Sequence, residues 1–304
     1  MWTVYGSQLT VNGPQLTVQR KTRLPPTDPA KPGTTVNREP STADDVLRSG
    51  DYARKQIYCP SRVVAWSHGS RFDLARTLVA PRAGGRLLDY GCGDGTFVAM
   101  VHADFRETLG ADVDRGQLRE CALRLGDLPG VRFAMTRDVD GAGTWDVVTC
   151  MEVLEHCLED ERRRVLDELA RLAAPGGLVV ISVPIEVGPS LAGKQLFRAL
   201  AGLRRLGDYE HRERYTPIEM IRSIFGAAVP RVRVEREGPE GRYAYYGHKG
   251  FDYRDLEREL AERMTIVRRL FTPLPLAGPL MNSQAWFVAQ HLGTAREARP
   301  APAP

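Results

Sequence analysis

Residues 86–97 read Arg-Leu-Leu-Asp-Tyr-Gly-Cys-Gly-Asp-Gly-Thr-Phe, and this stretch decides the fold. The apolar pair Leu87-Leu88 predicts a short buried strand that ends at Asp89. A turn with alternating glycines follows, and the apolar run 97–101 opens a helix. This order of strand, glycine turn and helix lets backbone approach a ligand closely and points helix N–H groups toward it. In an α/β sheet, such a turn usually holds a nucleoside-bearing cofactor.

The spacing of the glycines separates two kinds of cofactor. A dinucleotide site needs Gly-x-Gly-x-x-Gly, and counting from Gly91 puts Thr96 where the third glycine belongs. The chain instead has glycines at every second residue, with Asp89 two residues before the first. A carboxylate there is a poor neighbour for a pyrophosphate and a good one for an ammonium or sulfonium charge. A dinucleotide oxidoreductase is therefore disfavoured.

Asp89-x-Gly91-x-Gly93-x-Gly95 closely resembles motif I of the class I S-adenosylmethionine-dependent methyltransferases. Residues 146–156, Asp-Val-Val-Thr-Cys-Met-Glu-Val-Leu-Glu-His, resemble the fourth-strand motif of the ubiquinone-biosynthesis type and related small-molecule methyltransferases. Pro175-Gly176-Gly177, before an apolar strand ending at Pro184, is a third match. The resemblance implies a Rossmann-like, seven-stranded, mostly parallel sheet with helices on both faces. It further implies an N-terminal helical lid and a cap insertion after strand five.

Composition sets limits on the class of protein. The 304 residues carry a formal net charge of +4, without a Lys/Arg-dense block, so nucleic acid is not an expected partner. No apolar stretch reaches the roughly 18 residues of a membrane span, and the N-terminus lacks the order of a signal peptide. The five cysteines include no Cys-x-x-Cys pair. We therefore expect a cytoplasmic protein with reduced thiols.

The chain divides into three parts by composition and pattern. Residues 1–45, rich in Pro, Thr and Gln, predict a poorly ordered extension, and 293–304 a disordered tail. Residues 46–292 form the methyltransferase domain, in which 61–79 is a helix. The crossover helix after strand five is either 216–226 or a helix capped by Asp252. We prefer the second, which makes 185–247 a substrate-cap insertion.

Strand ends supply the expected cofactor contacts. Asp112 lies 21 residues after Gly91, where a nucleotide site places a carboxylate for the ribose hydroxyls, and Asp114 caps the next helix. The resemblance implies that Asp138 accepts from the adenine amino group and that Val139 packs on the ring, although either acid near 138–140 also suits an ordinary turn. The complete set of expected cofactor contacts is Asp89, Gly91, Cys92, Gly93, Gly95, Asp112, Val113, Asp138, Val139, Met151 and Glu152.

The resemblance implies that the end of the fourth strand opens beside the cofactor's methyl group, so that Glu152, Glu155 and His156 are placed for chemistry. His156 is the first candidate for a general base, because imidazole titrates near neutral pH, followed by His211 and His248. A purely structural role for His156 is the alternative. Glu155-His156 is also a pair of metal-ligand types, but the sequence offers no second pair to complete a site. We therefore predict no metal.

The acceptor is the least defined part of the prediction. The motifs do not identify the acceptor. The cap insertion favours transfer of a methyl group to an O, N or C atom of a small organic or glycan-type molecule, in specialised metabolism or envelope biosynthesis. The stretch 191–205 predicts an amphipathic helix with a cationic face. That helix either packs on the sheet as a cap or contacts a membrane surface or a lipid-linked acceptor. A catalytically silent protein that only binds the cofactor is a further alternative.

Overall fold

A computed structural model describes residues 43–141, 143–195, 215–227, 229–238 and 241–291. The candidate base His211 and the predicted tail 293–304 lie outside the described residues. So does nearly all of the predicted extension 1–45. Helix α1, Ala43–Arg48, begins within its last three residues, so the ordered chain starts slightly earlier than the composition suggested.

The described elements alternate between strands and helices through the first half of the chain and end in antiparallel strands. The helices after α1 are α2 Arg62–Val79, α3 Thr96–Val101, α4 Arg115–Leu125, α5 Glu159–Leu172, α6 Pro217–Ile224 and α7 Tyr253–Ala261. The strands are β1 Arg86–Tyr90, β2 Glu107–Asp112, β3 Val131–Met135, β4 Trp145–Met151, β5 Ala173–Pro184, β6 Arg233–Gly238, β7 Gly241–Tyr246, β8 Met264–Thr272 and β9 Gln284–His291.

Seven strands form one sheet in the order β3-β2-β1-β4-β5-β9-β8. The first five are parallel to one another, and β9 runs antiparallel to both β5 and β8. Strand order reverses beside β1, because β2 lies on one side of it and β4 on the other. The carboxyl ends of strands at such a reversal are where ligands of open α/β sheets bind. The expected Rossmann-like fold is confirmed.

Both faces of the sheet are covered, which explains why its strands read as continuous apolar runs. Adjacent residues of a strand point to opposite faces, so Leu88 joins a core with α5 and α7, whereas Leu87 joins a core with α2 and α3. Both leucines are fully buried. The five cysteines are free thiols, as their spacing predicted.

Strand β5 begins earlier than the sequence indicated. The Pro-Gly-Gly segment 175–177 predicted a turn before a strand over 178–184, but pairing with β4 already starts at Ala173. The register then shifts between Trp145 and Val147, so residues 174–177 form an irregular bulge within the strand. Gly176 adopts a positive φ of 73° there.

The region between β5 and α7 carries α6 and a two-stranded antiparallel sheet of β6 and β7. Asp252 caps α7 through a hydrogen bond from the Arg254 amide, as expected. The predicted cationic helix over 191–205 lies largely outside the described residues; only 190–195 is seen to be helical. Among the described residues, no helix combines the length and hydropathy needed to cross a bilayer.

The turn after β1 depends on Gly91, and a matched pair of variants tests this. Gly91 and Gly84 have nearly equal φ values, 81° and 80°, but a Cβ at Gly91 would meet Val153 Cγ2 at 2.3 Å whereas one at Gly84 meets nothing within 4 Å. We expect Gly84→Ala to cost about 1 kcal/mol from its backbone alone, and Gly91→Ala about 3 kcal/mol or more in urea unfolding. Equal losses would show that the close approach to Val153 is unimportant.

Candidate active site

Every second residue of the glycine turn has a left-handed backbone conformation. Gly91, Gly93 and Gly95 all have positive φ, of 81°, 53° and 72°. The amides of Gly91 and Cys92 both donate to the Ala111 carbonyl at the end of β2, at 2.7 and 2.9 Å. The turn is therefore fastened to the neighbouring strand, and only glycine adopts this conformation at low cost.

A cavity with about 470 Å³ of empty space, part of it open to solvent, lies over this turn. Six of the expected cofactor contacts line it: Asp89, Gly91, Cys92, Gly93, Met151 and Glu152. The N-terminal segment covers it through Tyr52, Arg71 and Phe72, which agrees with the expected helical lid.

Asp89 is a nearly completely buried carboxylate in the cavity wall. Thr149 Oγ1, on the adjacent strand β4, donates to its Oδ1 at 2.7 Å. Burial raises the pKa of Asp89 from 3.8 to about 7, and the hydrogen bond from Thr149 offsets only part of this rise. A cation bound in the cavity would stabilise the ionised form of Asp89. The buried carboxylate therefore makes the cavity suited to a cationic group.

Asp112 ends β2 and reaches across to the glycine turn. Its Oδ2 accepts from the Gly93 amide and its Oδ1 from the Asp114 amide, both at 2.9 Å. Burial raises the pKa of Asp112, and the two backbone hydrogen bonds oppose the rise. A carboxylate has about four lone-pair sites, so this arrangement leaves acceptor capacity for the two hydroxyls of a ribose. Asp114 instead caps α4, accepting from Gly116 and Gln117.

Met151 and Glu152 form the opposite wall of the cavity at the end of β4. Among the described residues, Glu152 is the only one other than glycine with a positive φ, which is 56°. Such a conformation costs about 1–3 kcal/mol and is concentrated at functional sites. The Glu152 amide donates to the Ser182 carbonyl at 2.9 Å. Arg71 Nη1 lies 3.8 Å from Glu152 Oε2.

Sequence reasoning missed two residues of this cavity that tie it to the rest of the chain. Arg71, on α2, brings a positive charge into the cavity wall beside Glu152. Asp94 accepts hydrogen bonds from Thr96 within the turn and from the Tyr52 amide at 2.8 Å. The Gly-Asp-Gly-Thr sequence is typical of a turn in which the aspartate side chain accepts a hydrogen bond from a backbone amide two residues later. The role of Asp94 could therefore have been predicted from the sequence. Arg71 left no such signal, because it is one of many arginines on helices.

Five predicted contacts lie beyond the lining of the cavity: Gly95 and Asp112, which belong to the turn and to the end of β2, and Val113, Asp138 and Val139. Asp138, in the turn after β3, has a side chain that is 64% exposed and lies 4.0 Å from the Arg137 guanidinium. Val139 is buried in the apolar core beside Tyr90 and Leu109. Val113 is partly exposed directly after Asp112. Their roles toward the adenine remain predictions.

The candidate bases His156 and His248 meet in the structure. Their Nε2 atoms lie 3.1 Å apart, although the residues are separated by 92 positions. His156 Nδ1 lies 2.9 Å from the Tyr246 carbonyl, which can only accept, so the proton of neutral His156 is on Nδ1 and its Nε2 carries a lone pair. Burial lowers the pKa of His156 to about 4, so the ring is neutral at pH 7.

Glu155 lies beside this histidine pair and is fully buried. Its Oε1 is 3.8 Å from His156 Nε2 and 4.0 Å from His248 Nε2. Burial, and then the nearby Glu152 carboxylate, hold the pKa of Glu155 well above its ordinary value. The sequence pointed to Glu155 and His156 together, but it gave no sign that β7 and the loop after it bring His248 to them.

Comparison with known proteins decides the family. The profile of a methyltransferase domain matches residues 68–228, just over half of the chain. The chain belongs to this methyltransferase family. The matched range holds the glycine turn, Asp112 and the end of β4. It is a class I methyltransferase, and its cofactor is S-adenosylmethionine, in agreement with the resemblance in the motifs.

Individual relatives agree with this assignment. The ubiquinone biosynthesis O-methyltransferase of Psychrobacter cryohalolentis is 30% identical over 176 residues, which cover 52% of this chain and 64% of the relative. The ubiquinone biosynthesis O-methyltransferase of Thiobacillus denitrificans is 37% identical over 108 residues, which cover 34% of this chain and 46% of the relative. The chain thus spans less than two thirds of these relatives. The crystal structure of the PH0226 protein from Pyrococcus horikoshii OT3 shares the fold, with a TM-score of 0.50 and 16% sequence identity. The match covers 80% of this chain and 97% of that protein.

The cavity of this methyltransferase suits its cofactor on physical grounds. The amino-acid end of S-adenosylmethionine carries an ammonium and a carboxylate, and the wall offers both Asp89 and Arg71. The glycines of the turn present backbone without side chains, and Asp112 retains acceptor capacity beside them. The residues present therefore fit the group.

The raised pKa of Asp89 gives a pH-dependent binding prediction. Below about pH 7 the carboxylate of the free protein is protonated, so binding a cation must expel that proton. We expect the affinity for S-adenosylmethionine, measured by isothermal titration between pH 5.5 and 8, to fall up to about tenfold per pH unit below 7. In Asp89→Asn, binding should be weak and nearly independent of pH.

The raised pKa of Asp89 should also make the stability of the cofactor-free protein fall with rising pH, whereas its affinity for the cofactor should increase. The folded pKa of Asp89 lies above its unfolded value of 3.8, so the folded state binds more protons between these values and loses stability as the pH rises toward 7. Asp89→Asn removes this loss, so without cofactor the variant should melt at a higher temperature than the parent at pH 8. A variant that binds normally, or a parent affinity that does not change with pH, would contradict the assignment.

Proposed function

We propose that this protein transfers the methyl group of S-adenosylmethionine to an oxygen atom of a small organic acceptor. The observation that carries the proposal is the imidazole pair His156–His248, with nitrogens 3.1 Å apart, in which His156 follows the cavity residue Glu152 by four positions. A proton acceptor beside the methyl group is what a hydroxyl acceptor needs. The curated relatives, named as ubiquinone biosynthesis O-methyltransferases, also favour oxygen as the acceptor atom.

In this proposal the cavity residues orient the cofactor. Asp89 binds its ammonium group and Arg71 its carboxylate, while Asp112 accepts from both ribose hydroxyls. Asp138 accepts from the adenine amino group, Val139 contacts the adenine ring, and Val113 contacts the nucleoside. The backbone of Cys92 and of the neighbouring glycines lies along the cofactor. These contacts fix the sulfur so that an acceptor entering beside Glu152 meets the methyl group in line.

The cofactor supplies a sulfonium-activated methyl group, whose carbon–sulfur bond breaks as the new carbon–oxygen bond forms. The protein takes the proton from the acceptor hydroxyl. His156 Nε2 carries the lone pair for this step, because the Tyr246 carbonyl holds the proton of the ring on Nδ1. In the resting protein this lone pair accepts from His248 Nε2 at 3.1 Å, so the acceptor hydroxyl takes the place of His248 as the donor to His156. The proton then stays on His156 Nε2 until it is lost to solvent. The cap elements around His248 exclude water from the reacting atoms.

A transfer assay tests the proposal. Purified protein is incubated with methyl-labelled S-adenosylmethionine and a panel of phenols, alcohols, amines and glycans, and the products are identified by mass spectrometry. We expect label on the oxygen of at least one hydroxyl acceptor. Label confined to nitrogen or carbon would overturn the choice of atom, and tight cofactor binding with no product from the panel or from cell extracts would support a protein that only binds the cofactor.

A lipid-linked acceptor at a membrane surface is tested in the same assay. Its sequence basis, the cationic helix over 191–205, lies mostly outside the described residues. Label in the organic-soluble fraction of an extract would favour it over a water-soluble acceptor.

A further inference from the structure

Arg231 lies two residues before β6, at the base of the hairpin that β6 forms with β7. Its Nη2 atom donates to two backbone carbonyls, that of Glu155 and, at 3.3 Å, that of Gly247. Each of these two residues directly precedes one histidine of the imidazole pair, His156 or His248. One side-chain nitrogen therefore joins the backbone at the end of β4 to the loop after β7. We call these two hydrogen bonds the Arg231 bridge.

The guanidinium of Arg231 is a partly buried cation, and no carboxylate of the described residues lies within ion-pair distance of it. Burial lowers its pKa to about 10, so the group is charged at pH 7. Its Cζ lies 4.2 Å from the centre of the Tyr246 ring and 5.2 Å from that of Phe251, whose faces attract the cation. A buried charge is costly unless it makes hydrogen bonds. The two bridged carbonyls are the acceptors that offset this cost.

The surroundings of the guanidinium leave no side of it open to a ligand. Nε and Nη1 of Arg231 are buried from solvent, and they have no hydrogen-bond partner in the described part of the chain. Arg231 is also not among the residues that line the cofactor cavity. An anionic group of the cofactor or the acceptor therefore has no path to these nitrogens. The role of Arg231 is directed to the protein backbone.

Two other hydrogen bonds join the segments that carry the histidines, and both are made by Tyr246. Its amide donates to the His156 carbonyl at 2.8 Å, and its carbonyl accepts from His156 Nδ1 at 2.9 Å. The bridge extends this attachment by one residue on each segment, to Glu155 and to Gly247. The residue next to His248 is thereby held against the end of β4.

We propose that Arg231 is a positioning residue for methyl transfer, because its bridge fixes the spacing of the two histidine backbones and hence the direction of His156 Nε2. The ring of His248 turns about its own side-chain bonds, so an acceptor hydroxyl takes its place beside His156 without movement of the bridged backbone. The effect of Arg231 on turnover rests on the proposed function. Its effect on the geometry of the pair does not.

Arg231→Met tests the bridge, because methionine keeps a flexible apolar stem between the two rings and removes the donors. We expect kcat to fall by about tenfold or more, since small displacements of catalytic groups cost this much, while the dissociation constant of S-adenosylmethionine stays within about twofold. Arg162→Met is the matched control. It removes another arginine with little exposure, whose partner is Glu259 at 2.6 Å, and should lower stability with kcat within about twofold of the parent. Equal losses of kcat in the two variants would overturn the proposal.

A double variant shows whether Arg231 acts through His156. Added to His156→Ala, Arg231→Met should lower kcat by less than about a further twofold, because the group that it positions is already absent. Arg162→Met in the same background serves as the control for general destabilisation. A second loss of about tenfold from Arg231→Met would mean that Arg231 acts by another route, which would overturn the proposal.

Arg231→Lys keeps the charge and decides the matter if the methionine variant does not fold. The lysine ammonium ends one bond short of the position of Nη2 and lacks the planar fork of the guanidinium, so we expect it to reach one carbonyl and not both. Its kcat should lie at least about threefold below that of the parent and above that of Arg231→Met. A kcat equal to that of the parent would show that the charge alone suffices and would overturn the bridge.

A crystal structure of the folded variant gives a readout that does not depend on the reaction. The Nε2 atoms of His156 and His248, 3.1 Å apart in the parent, should separate beyond about 3.5 Å. Separated rings, together with transfer confined to nitrogen, would support the bridge and overturn the choice of oxygen in the proposed function. Rings that stay 3.1 Å apart, together with transfer to oxygen, would overturn the bridge and leave the proposed function.

Discussion

Replacing Asp112 with alanine is expected to weaken S-adenosylmethionine binding by at least about 100-fold in isothermal titration. The buried carboxylate is placed to accept two ribose hydroxyls, and hydrogen bonds to a charged group contribute about 1.5–3 kcal/mol each. Losing both removes roughly 3 kcal/mol or more, which corresponds to this change in affinity. An affinity within about threefold of the parent would refute the assignment of the ribose to Asp112.

Two control variants separate binding from folding in this experiment. Asp112 also accepts from the Gly93 and Asp114 amides, so its removal disturbs the turn itself. Asp112→Asn keeps a carbonyl oxygen for one of these two amides and places an NH2 group against the other, so it should lose part of the stability as well as affinity. Asp114→Ala removes the cap of α4 and should cost about 1 kcal/mol of stability with little change in affinity. The opposite ranking of the two carboxylates would assign the ribose to Asp114.

His156→Ala is expected to lower kcat by about 10²–10⁴-fold and to leave the dissociation constant of the cofactor nearly unchanged. The ring lies beyond the lining of the cofactor cavity, and its Nε2 is directed toward His248. Stopped assays of methyl transfer, with the best acceptor found in the panel, measure the first quantity, and isothermal titration measures the second. Full turnover in the variant would remove His156 from the chemistry.

A conservative pair of substitutions distinguishes chemistry from positioning at the same residue. Asparagine places an amide N–H near the position of Nδ1, so His156→Asn can keep the hydrogen bond to the Tyr246 carbonyl without supplying a proton acceptor at Nε2. If His156 acts through Nε2, this variant should be as inactive as His156→Ala. Recovery of most of the activity would instead show that the residue only fastens β7 to the end of β4.

The cofactor side of the site was readable in the sequence because its residues are set by local rules. Asp89 and Asp112 each end a strand, and parallel strands in a doubly wound sheet bring those ends to one edge. The glycines that follow Asp89 are dictated by positive φ at each position. Fold and cofactor class therefore follow from three short motifs.

The acceptor side was not readable in this way. His248 reaches His156 only because the pairing of β6 with β7 carries the chain back to the end of β4, where the Tyr246 amide donates to the His156 carbonyl. Nothing local to residue 248 encodes that contact. The role of Arg71 could not be predicted from the sequence either, because its position in the cavity wall depends on how α2 packs across the sheet. Long-range packing, rather than motif, decides both.

The most direct measurement of the central claim is a crystal structure of the protein with S-adenosylhomocysteine. The account predicts density over the glycine turn, with the amino group of the ligand within hydrogen-bond distance of Asp89 and both ribose hydroxyls at Asp112. A ligand bound elsewhere, or a cavity that stays empty at saturating concentration while the protein remains folded, would contradict it.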